Sequence, residues 1–360
     1  MSRIAVIGAG KTGRGFIGRL IAESGESFTL IDKDENLIKK LSQKGAFEVY
    51  FFGNSRKKLT VSGFNAVTYD SADLSDTELI FVSVGGTNLT DVGNSLKKLI
   101  SDGKKRYIIV CENASHPSKT LGAAIGLDTV SITEATVFCT TIEHGELDIS
   151  SENYPYLQCD AKPLNGYCPN VAAVRPIDNF GNFLTRKLYT YNAASCVIAY
   201  IGALKGYTDY GEAANDTDIL RLLDENYEQT NKALCKAFGY DEADQREFAL
   251  LSKQKFCDKT IVDTVSRNAR EPQRKLADME RLIGPMKLIW EHGDEPSVLI
   301  LTVAAALCYE HPSDLAWSEI KKNKTPEQIL TEICNINESS PLFPKIMDKY
   351  LLFKNGKIEL

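Results

Sequence analysis

The sequence predicts an α/β protein in two domains: a Rossmann-type dinucleotide-binding domain over residues 1–177, followed by a mostly α-helical domain over residues 178–360. Three observations predict this. A short Ile/Val strand at the start of the chain runs into Gly8-Ala9-Gly10-Lys11-Thr12-Gly13, a GxGxxG turn. Strand and helix patterns then alternate to about residue 138. From Asp178 onward almost every segment repeats its apolar residues at helical spacing.

Residues 3–7 form the first strand. Gly8 makes the tight turn after it, Gly10 lets the backbone approach a pyrophosphate, and Gly13 allows the following helix, residues 13–24, to pack closely on the strand. The N-terminus of that helix offers free N–H groups and a positive dipole end to the pyrophosphate, so Ala9, Lys11 and Thr12 belong to the predicted site. Residues 28–31 form the second strand, with Asp32 at its end to accept hydrogen bonds from the adenosine ribose. A carboxylate there repels a 2′-phosphate. NAD is therefore predicted over NADP, with Lys33 the one adjacent charge working the other way.

A helix over 35–44 comes next, then a hairpin, 47–52 and 58–61, turning at Gly53-Asn54-Ser55. The buried strand 79–84 brings Val84 and Gly85 up to the cofactor. After a helix over 89–101, the strand 107–111 ends in Glu112-Asn113 at the carboxyl edge, where ligands bind in such sheets. A helix over 115–125 and a strand over 130–138 complete the alternation. Residues 141–176 are irregular and read as short strands and loops closing the domain.

The second half is organised around residues 178–206, predicted as one helix with Asp178 as N-cap and Gly206 as C-cap. Lys187, Asn192 and Ser195 interrupt its apolar pattern and fall within an arc of about 140° at α-helical spacing. They are the candidate catalytic and substrate-binding group. The alternative for Lys187 is a core helix whose lysine reaches out to water. Further helices are predicted over 216–237, 241–252, 271–283, 296–308 and 325–334. Arg267, Arg270, Arg274 and Arg281, with Lys275 adjacent, have a spacing that puts them on one helical face. Two readings stand. Arg267, Arg270 and Arg274 clamp an anionic substrate group, or the face is solvated and paired with Glu271, Asp278 and Glu280.

Composition narrows the partners. With a hydrophobic content of 43% and a charged content of 25%, the chain reads as soluble and globular, and a net charge of -6 argues against a general nucleic-acid binder. Its longest apolar run, residues 298–308, is too short for a bilayer, so no membrane partner is expected. Nine cysteines without CxxC pairs and no N-terminal signal suit a reducing cytoplasm. Four scattered histidines, with no HExxH or Cys/His spacing, predict no dedicated metal. A monomer or small homo-oligomer is expected.

Several of these stretches resemble one family. The run from Gly8 to Gly18, GAGKTGRGFIG, is similar to the opening of mannitol-1-phosphate 5-dehydrogenases, polyol-specific long-chain dehydrogenases. Cys111-Glu112-Asn113 resembles the family's motif after the fourth Rossmann strand. Lys187 to Asn192 matches its Lys-x4-Asn signature, and residues 267–276 with Arg281-Leu282-Ile283 resemble its basic motif. The resemblance implies a metal-independent, NAD-dependent interconversion of a sugar alcohol, phosphorylated or not, and its ketose. Lys187 is then the general acid and base, and Asn113 and Asn192 donate hydrogen bonds to the substrate oxygen. In two places the chain departs from the family. The signature continues to a histidine where this chain has Ser195, with His116 a second candidate for that role, and an expected Asp-Arg pair is missing from residues 138–142. Two alternatives follow from the same residues: a uronate reductase whose arginines grip a carboxylate, and an NAD-binding regulator without catalysis.

Overall fold

The computed structural model describes residues 3–114, 116–358 and 360, except the side chains of residues 54–56. Two compact units divide the chain, Met1–Gly181 and Asn182–Leu360.

In the first unit the described strands are β1 Ile4–Ile7, β2 Phe28–Ile31, β3 Ala46–Phe51, β4 Asn54–Ser62, β5 Phe64–Val67, β6 Leu79–Val82, β7 Arg106–Val110, β8 Val130–Thr136, β9 Thr141–His144, β10 Asp148–Ser151, β11 Leu157–Asp160 and β12 Val174–Ile177. Eight of them form one sheet in the order β12-β11-β8-β7-β6-β1-β2-β5. It is parallel from β5 to β8; β11 joins β8 antiparallel, and β12 runs parallel to β11. Ile7 is level with both Ile31 and Val82, so β1, β2 and β6 end together. Chain order reverses at β1, which places a ligand crevice at these carboxyl ends.

Both faces of this sheet are covered, which is why its central strands read as unbroken apolar runs. Ala5, Ile7, Ile80 and Val82 pack under the helices Leu89–Ile100 and Pro117–Ile125. Ile4, Val6 and Phe81 pack under residues 16–21, the helix Glu35–Lys44 and the smaller sheet β4-β3-β10-β9. The smaller sheet explains a local oddity. The helix after the glycine turn begins as a π-helical segment, Gly13–Gly18, before Arg19–Glu23. A Cβ on Gly15 would lie 2.2 Å from Ile149 Cγ2 of β10, so only glycine admits this strand so close. β5 was not expected; at four residues with a central asparagine it carries too little pattern. The predicted start of the helix at Ser115 lies outside the described residues.

The second unit is helical around one core. The predicted helix over 178–206 is Phe180–Lys187, a π-helical segment Leu188–Asn192, and Ala193–Leu204. Asp178 is not its cap: it sits in a turn, and Asn179 takes a positive φ of 54°. The other end is as expected. Gly206 has φ 85°, its N–H donates to the carbonyl of Ala203, and Tyr207 donates to Gly202, a Schellman closure. Asp216, Asp241 and Thr325 cap the helices Thr217–Phe238, Glu242–Cys257 and Pro326–Glu332. Ser297–Cys308 is almost wholly buried. Leu315–Asn323 and Leu342–Lys354 add two helices the periodicity did not single out. Among the described residues no helix is long and apolar enough to cross a membrane.

One predicted helix is wrong. Residues 271–283 are not continuous. Val265–Ala269 ends, Arg270 is extended, Glu271 takes φ 58°, and a short helix Pro272–Lys275 is followed by turns before Ile283–Glu291. Pro272 can only start a helix, which separates Arg267 and Arg270 from Arg274, and Met279 at φ 59°, in the turns after Lys275, separates Arg274 from Arg281. Arg267, Arg270, Arg274 and Arg281 therefore do not share a helical face.

Candidate active site

In the first unit a cavity of about 390 Å³ opens at the carboxyl ends of β1, β2 and β6, with Gly8, Gly10, Asp32, Lys33, Tyr69, Val84 and Asp91 among its walls. The three glycines of the turn have different reasons. A Cβ on Gly8 would lie 2.0 Å from the carbonyl oxygen of Ser83, and one on Gly13 1.8 Å from that of Gly8. A Cβ on Gly10 would meet no protein atom within 4 Å. Nothing in the protein demands glycine there, whereas a ligand brought against the backbone does, so the site fits a dinucleotide.

The peptide of Ala9 is held on both sides. Its N–H donates to Asp32 Oδ2 at 2.6 Å, and its carbonyl accepts from the Arg14 guanidinium. Asp32 Oδ1 accepts from the Asp34 N–H at 3.0 Å, which orients the carboxylate. Arg14 is buried beneath the turn, where desolvation lowers its pKa against the pull of Glu143, Asp32 and Asp148. Tyr69 adds an aromatic wall; burial, then Asp32, raises its hydroxyl to about 12. Sequence reasoning gave Arg14 and Tyr69 no role. Arg14 follows the glycine motif directly, which was a usable signal, but nothing local marks Tyr69.

Of the other predicted cofactor residues, Lys11 is exposed, and Thr12 Oγ1 lies 3.4 Å from Thr141 Oγ1. Glu112 Oε1 accepts from the N–H groups of Val84 at 2.6 Å and Gly85 at 2.8 Å. Burial raises its pKa, and these two bonds oppose the shift. Glu112 thus braces the turn after β6, and those N–H groups are not free for a ligand. Asn113 is exposed past the end of β7, its Nδ2 donating to the Val137 carbonyl at 3.4 Å. With Asp32 and Asp91 both on the cavity, NAD(H) should be preferred over NADP(H) at least tenfold, about 1.4 kcal/mol. Steady-state kcat/KM with each cofactor measures this, and equal efficiency would contradict it.

In the second unit, residues 189–202 are all buried except Asn192 and Ser195, and Lys187 is half-buried just before them. In an α-helix Lys187 and Asn192 would point about 140° apart. The π-helical segment Leu188–Asn192 bonds i to i+5, a wider turn that narrows this angle. Its three central side chains are anchored. Tyr189 packs on Gly284, where a Cβ would lie 2.2 Å from its hydroxyl, and donates to the Met279 carbonyl at 3.3 Å. Thr190 accepts from Gln245 Nε2 at 3.1 Å, and Tyr191 meets Phe248 edge-on at 4.9 Å.

Burial, with Lys255 and Arg281 adding repulsion, lowers the Lys187 pKa to about 7. Lys275 is buried, donates to the Asn268 carbonyl, stands 5.7 Å from the Tyr200 ring, and is lowered to about 8, again chiefly by burial. Arg281 bears on both lysines. The predicted clamp is arranged otherwise: Arg267 pairs with Asp263 at 2.8 Å, Arg274 pairs with Glu271 at 2.8 Å, and Arg270 is exposed. Arg281, not those three, is the arginine whose charge reaches Lys187. Neither Lys255 nor Tyr210, whose hydroxyl bonds Ser195, was singled out from the sequence. Among the described residues no group of three or more His, Cys, Asp or Glu is placed to hold a metal.

The family model for the mannitol dehydrogenase Rossmann domain matches residues 2–141, and that for the mannitol dehydrogenase C-terminal domain matches residues 179–343. Mannitol-1-phosphate 5-dehydrogenase of Thermoanaerobacter pseudethanolicus is 27% identical over 97% of both chains. The Oceanobacillus iheyensis enzyme of the same name is 28% identical over 97% of this chain and 98% of its own. Among solved structures, a substrate-free D-sorbitol dehydrogenase matches with a TM-score of 0.79 at 12% identity, covering 99% of this chain and 93% of that one. Mannitol 2-dehydrogenase of Pseudomonas fluorescens, in a ternary complex with NAD and D-mannitol, matches with a TM-score of 0.70 at 14% identity, covering 99% and 92%. These two share the fold.

Proposed function

We propose that this chain, which belongs to the mannitol dehydrogenase family, interconverts a sugar alcohol and the corresponding ketose without a metal, with Lys187 as general acid and base. Relatives over nearly its whole length are mannitol-1-phosphate 5-dehydrogenases, a mannitol 2-dehydrogenase of the same fold holds NAD and D-mannitol, and NAD is the cofactor inferred here. The observation that carries the reading is the burial along this helix: residues 189–202 are buried except Asn192 and Ser195, and the half-buried Lys187 just before them has its pKa lowered to about 7.

The glycine turn, Asp32 and the cavity beside it would hold the dinucleotide, which when bound supplies the hydride acceptor. Lys187, neutral, takes the proton from the substrate hydroxyl in oxidation and returns it in reduction. Asn192 steadies the substrate oxygen as charge develops on it. The clustering of Lys187, Lys255, Lys275 and Arg281 favours a substrate carrying negative charge, a phosphate ester first. A uronate carboxylate satisfies the same charges, so a uronate reductase is the second reading.

The test is NADH oxidation against ketoses, ketose phosphates and ketouronates. Turnover of ketouronates alone would replace the first reading by the second, and no turnover at all would overturn both.

With a Lys187 pKa of about 7, polyol oxidation needs the deprotonated lysine and ketose reduction the protonated one. Expected profiles of kcat/KM follow: oxidation climbs roughly tenfold per pH unit below about 7 and levels above it, and reduction does the reverse. Profiles flat across that region would remove Lys187 from the proton transfer.

A further inference from the structure

Ser195 is not bonded like an ordinary helical serine. Such a serine commonly donates back to the carbonyl four residues earlier. Here the Tyr210 hydroxyl donates to Ser195 Oγ at 3.1 Å, and among the described residues Ser195 Oγ has no other hydrogen-bond partner. A hydroxyl has one proton to give and two lone pairs to receive. With one lone pair taken by the tyrosine, the serine proton remains available on the partly open side of the helix. The phenol is the more acidic of the two hydroxyls and so the better donor. Burial pushes its ionisation well above 10, which keeps it protonated at any working pH.

Tyr210 is fixed from several directions. It is 5% exposed, and its ring meets Phe256 edge-on at 6.1 Å. Its N–H donates to the Asp263 carbonyl at 3.1 Å, and the Val265 N–H donates to the Thr208 carbonyl at 3.0 Å, across an isolated bridge between Asp209 and Thr264. Asp209 caps the short helix Tyr210–Ala214 by accepting from the Glu212 N–H at 2.8 Å. That helix lies close to Ala193–Leu204: a Cβ on Gly202 would come within 2.9 Å of the Ala213 Cβ.

We propose that Tyr210 is a positioning residue for substrate selection: by donating to Ser195 it fixes that serine as an uncharged hydrogen-bond donor to a substrate hydroxyl or carbonyl oxygen. The proposal rests on the functional reading above, in which the open side of the Lys187 helix receives the substrate. In the resembling family a histidine holds the place of Ser195. The serine–tyrosine pair differs from it in kind, being unable to carry charge and having a fixed donor sense.

The test is a double-mutant cycle of Tyr210→Phe and Ser195→Ala, using the best ketose found for the unmutated enzyme. Turnover, NADH affinity and the thermal midpoint are measured for each protein. Tyr210→Phe should lower kcat/KM about tenfold, Ser195→Ala by a similar factor, and the double variant no further than the worse single one. NADH affinity should stay near normal in all three. Multiplying losses, or a Tyr210→Phe enzyme within twofold of the parent, would overturn the coupling while leaving the functional reading intact. Absence of ketose turnover by the unmutated protein would overturn the functional reading and this inference with it.

Discussion

Lys187→Ala should lower turnover in both directions by at least ~10²-fold, the loss expected when a general acid–base group is removed. NADH binding should stay near normal, because the glycine turn and Asp32 that are inferred to hold the dinucleotide lie in the other unit. The physical basis is the environment of the amine. Desolvation is the largest influence on Lys187, and the fields of Lys255 and Arg281 act in the same direction. A lysine poised at about 7 exchanges a proton at neutral pH, which one near 10.5 does not. Arginine in its place keeps the charge but cannot give up the proton, so Lys187→Arg should be no more active than Lys187→Ala.

Stability should respond in the opposite sense. The folded state holds the proton on Lys187 less tightly than the unfolded chain does. Between about 7 and 10.5 the unfolded chain therefore binds more protons, and this group's contribution to stability increases as pH rises. At neutral pH the buried cation is a cost. Its replacement should leave the thermal midpoint level or higher, even though a side chain is truncated. Calorimetry beside the kinetics separates the cases: an active variant makes Lys187 a structural residue, and an inactive one with a much lower midpoint has merely misfolded.

The second large effect is expected at Ser195. The unmutated enzyme should be poor on fructose 6-phosphate and mannitol 1-phosphate, and Ser195→His should improve both relative to its best substrate by roughly 10–200-fold, the range of one hydrogen-bonding contact. Serine is shorter than the histidine of the resembling family and leaves room near the reacting carbon. Its oxygen is also engaged by Tyr210, so an incoming imidazole meets a buried phenol that can donate to it. The measurement is kcat/KM of both proteins on both compounds. Efficient turnover of fructose 6-phosphate by the unmutated enzyme would show that the exchange of histidine for serine is neutral.

What was legible in the sequence was whatever short-range chemistry decides. The glycine turn is one case: Gly13 is demanded by the carbonyl of Gly8 five residues earlier, and Gly8 itself takes φ 97°. β2 and the helix Glu35–Lys44 have the predicted limits because period, the Asp34 cap and Gly45 at φ 65° are all local. The break at Pro272 was equally local. It was overridden by a pattern of arginines that looked helical, although steric exclusion at proline outranks periodicity.

Tertiary structure alone decided the geometry of the candidate site. From the sequence, Lys187, Asn192 and Ser195 fall within an arc of about 140° on an α-helix, which groups them but leaves Lys187 and Asn192 at its two edges. The wider turn that narrows that arc is accompanied by the seating of Tyr189 on Gly284, of Thr190 on Gln245 and of Tyr191 on Phe248, contacts 55 to 95 residues away along the chain. The pKa of Lys187 depends on how much protein closes over it, and the donor sense of Ser195 on a tyrosine from another helix. Helical period and capping are read within one or two turns. Desolvation and the choice of hydrogen-bond partner belong to surfaces that meet only after the chain has folded.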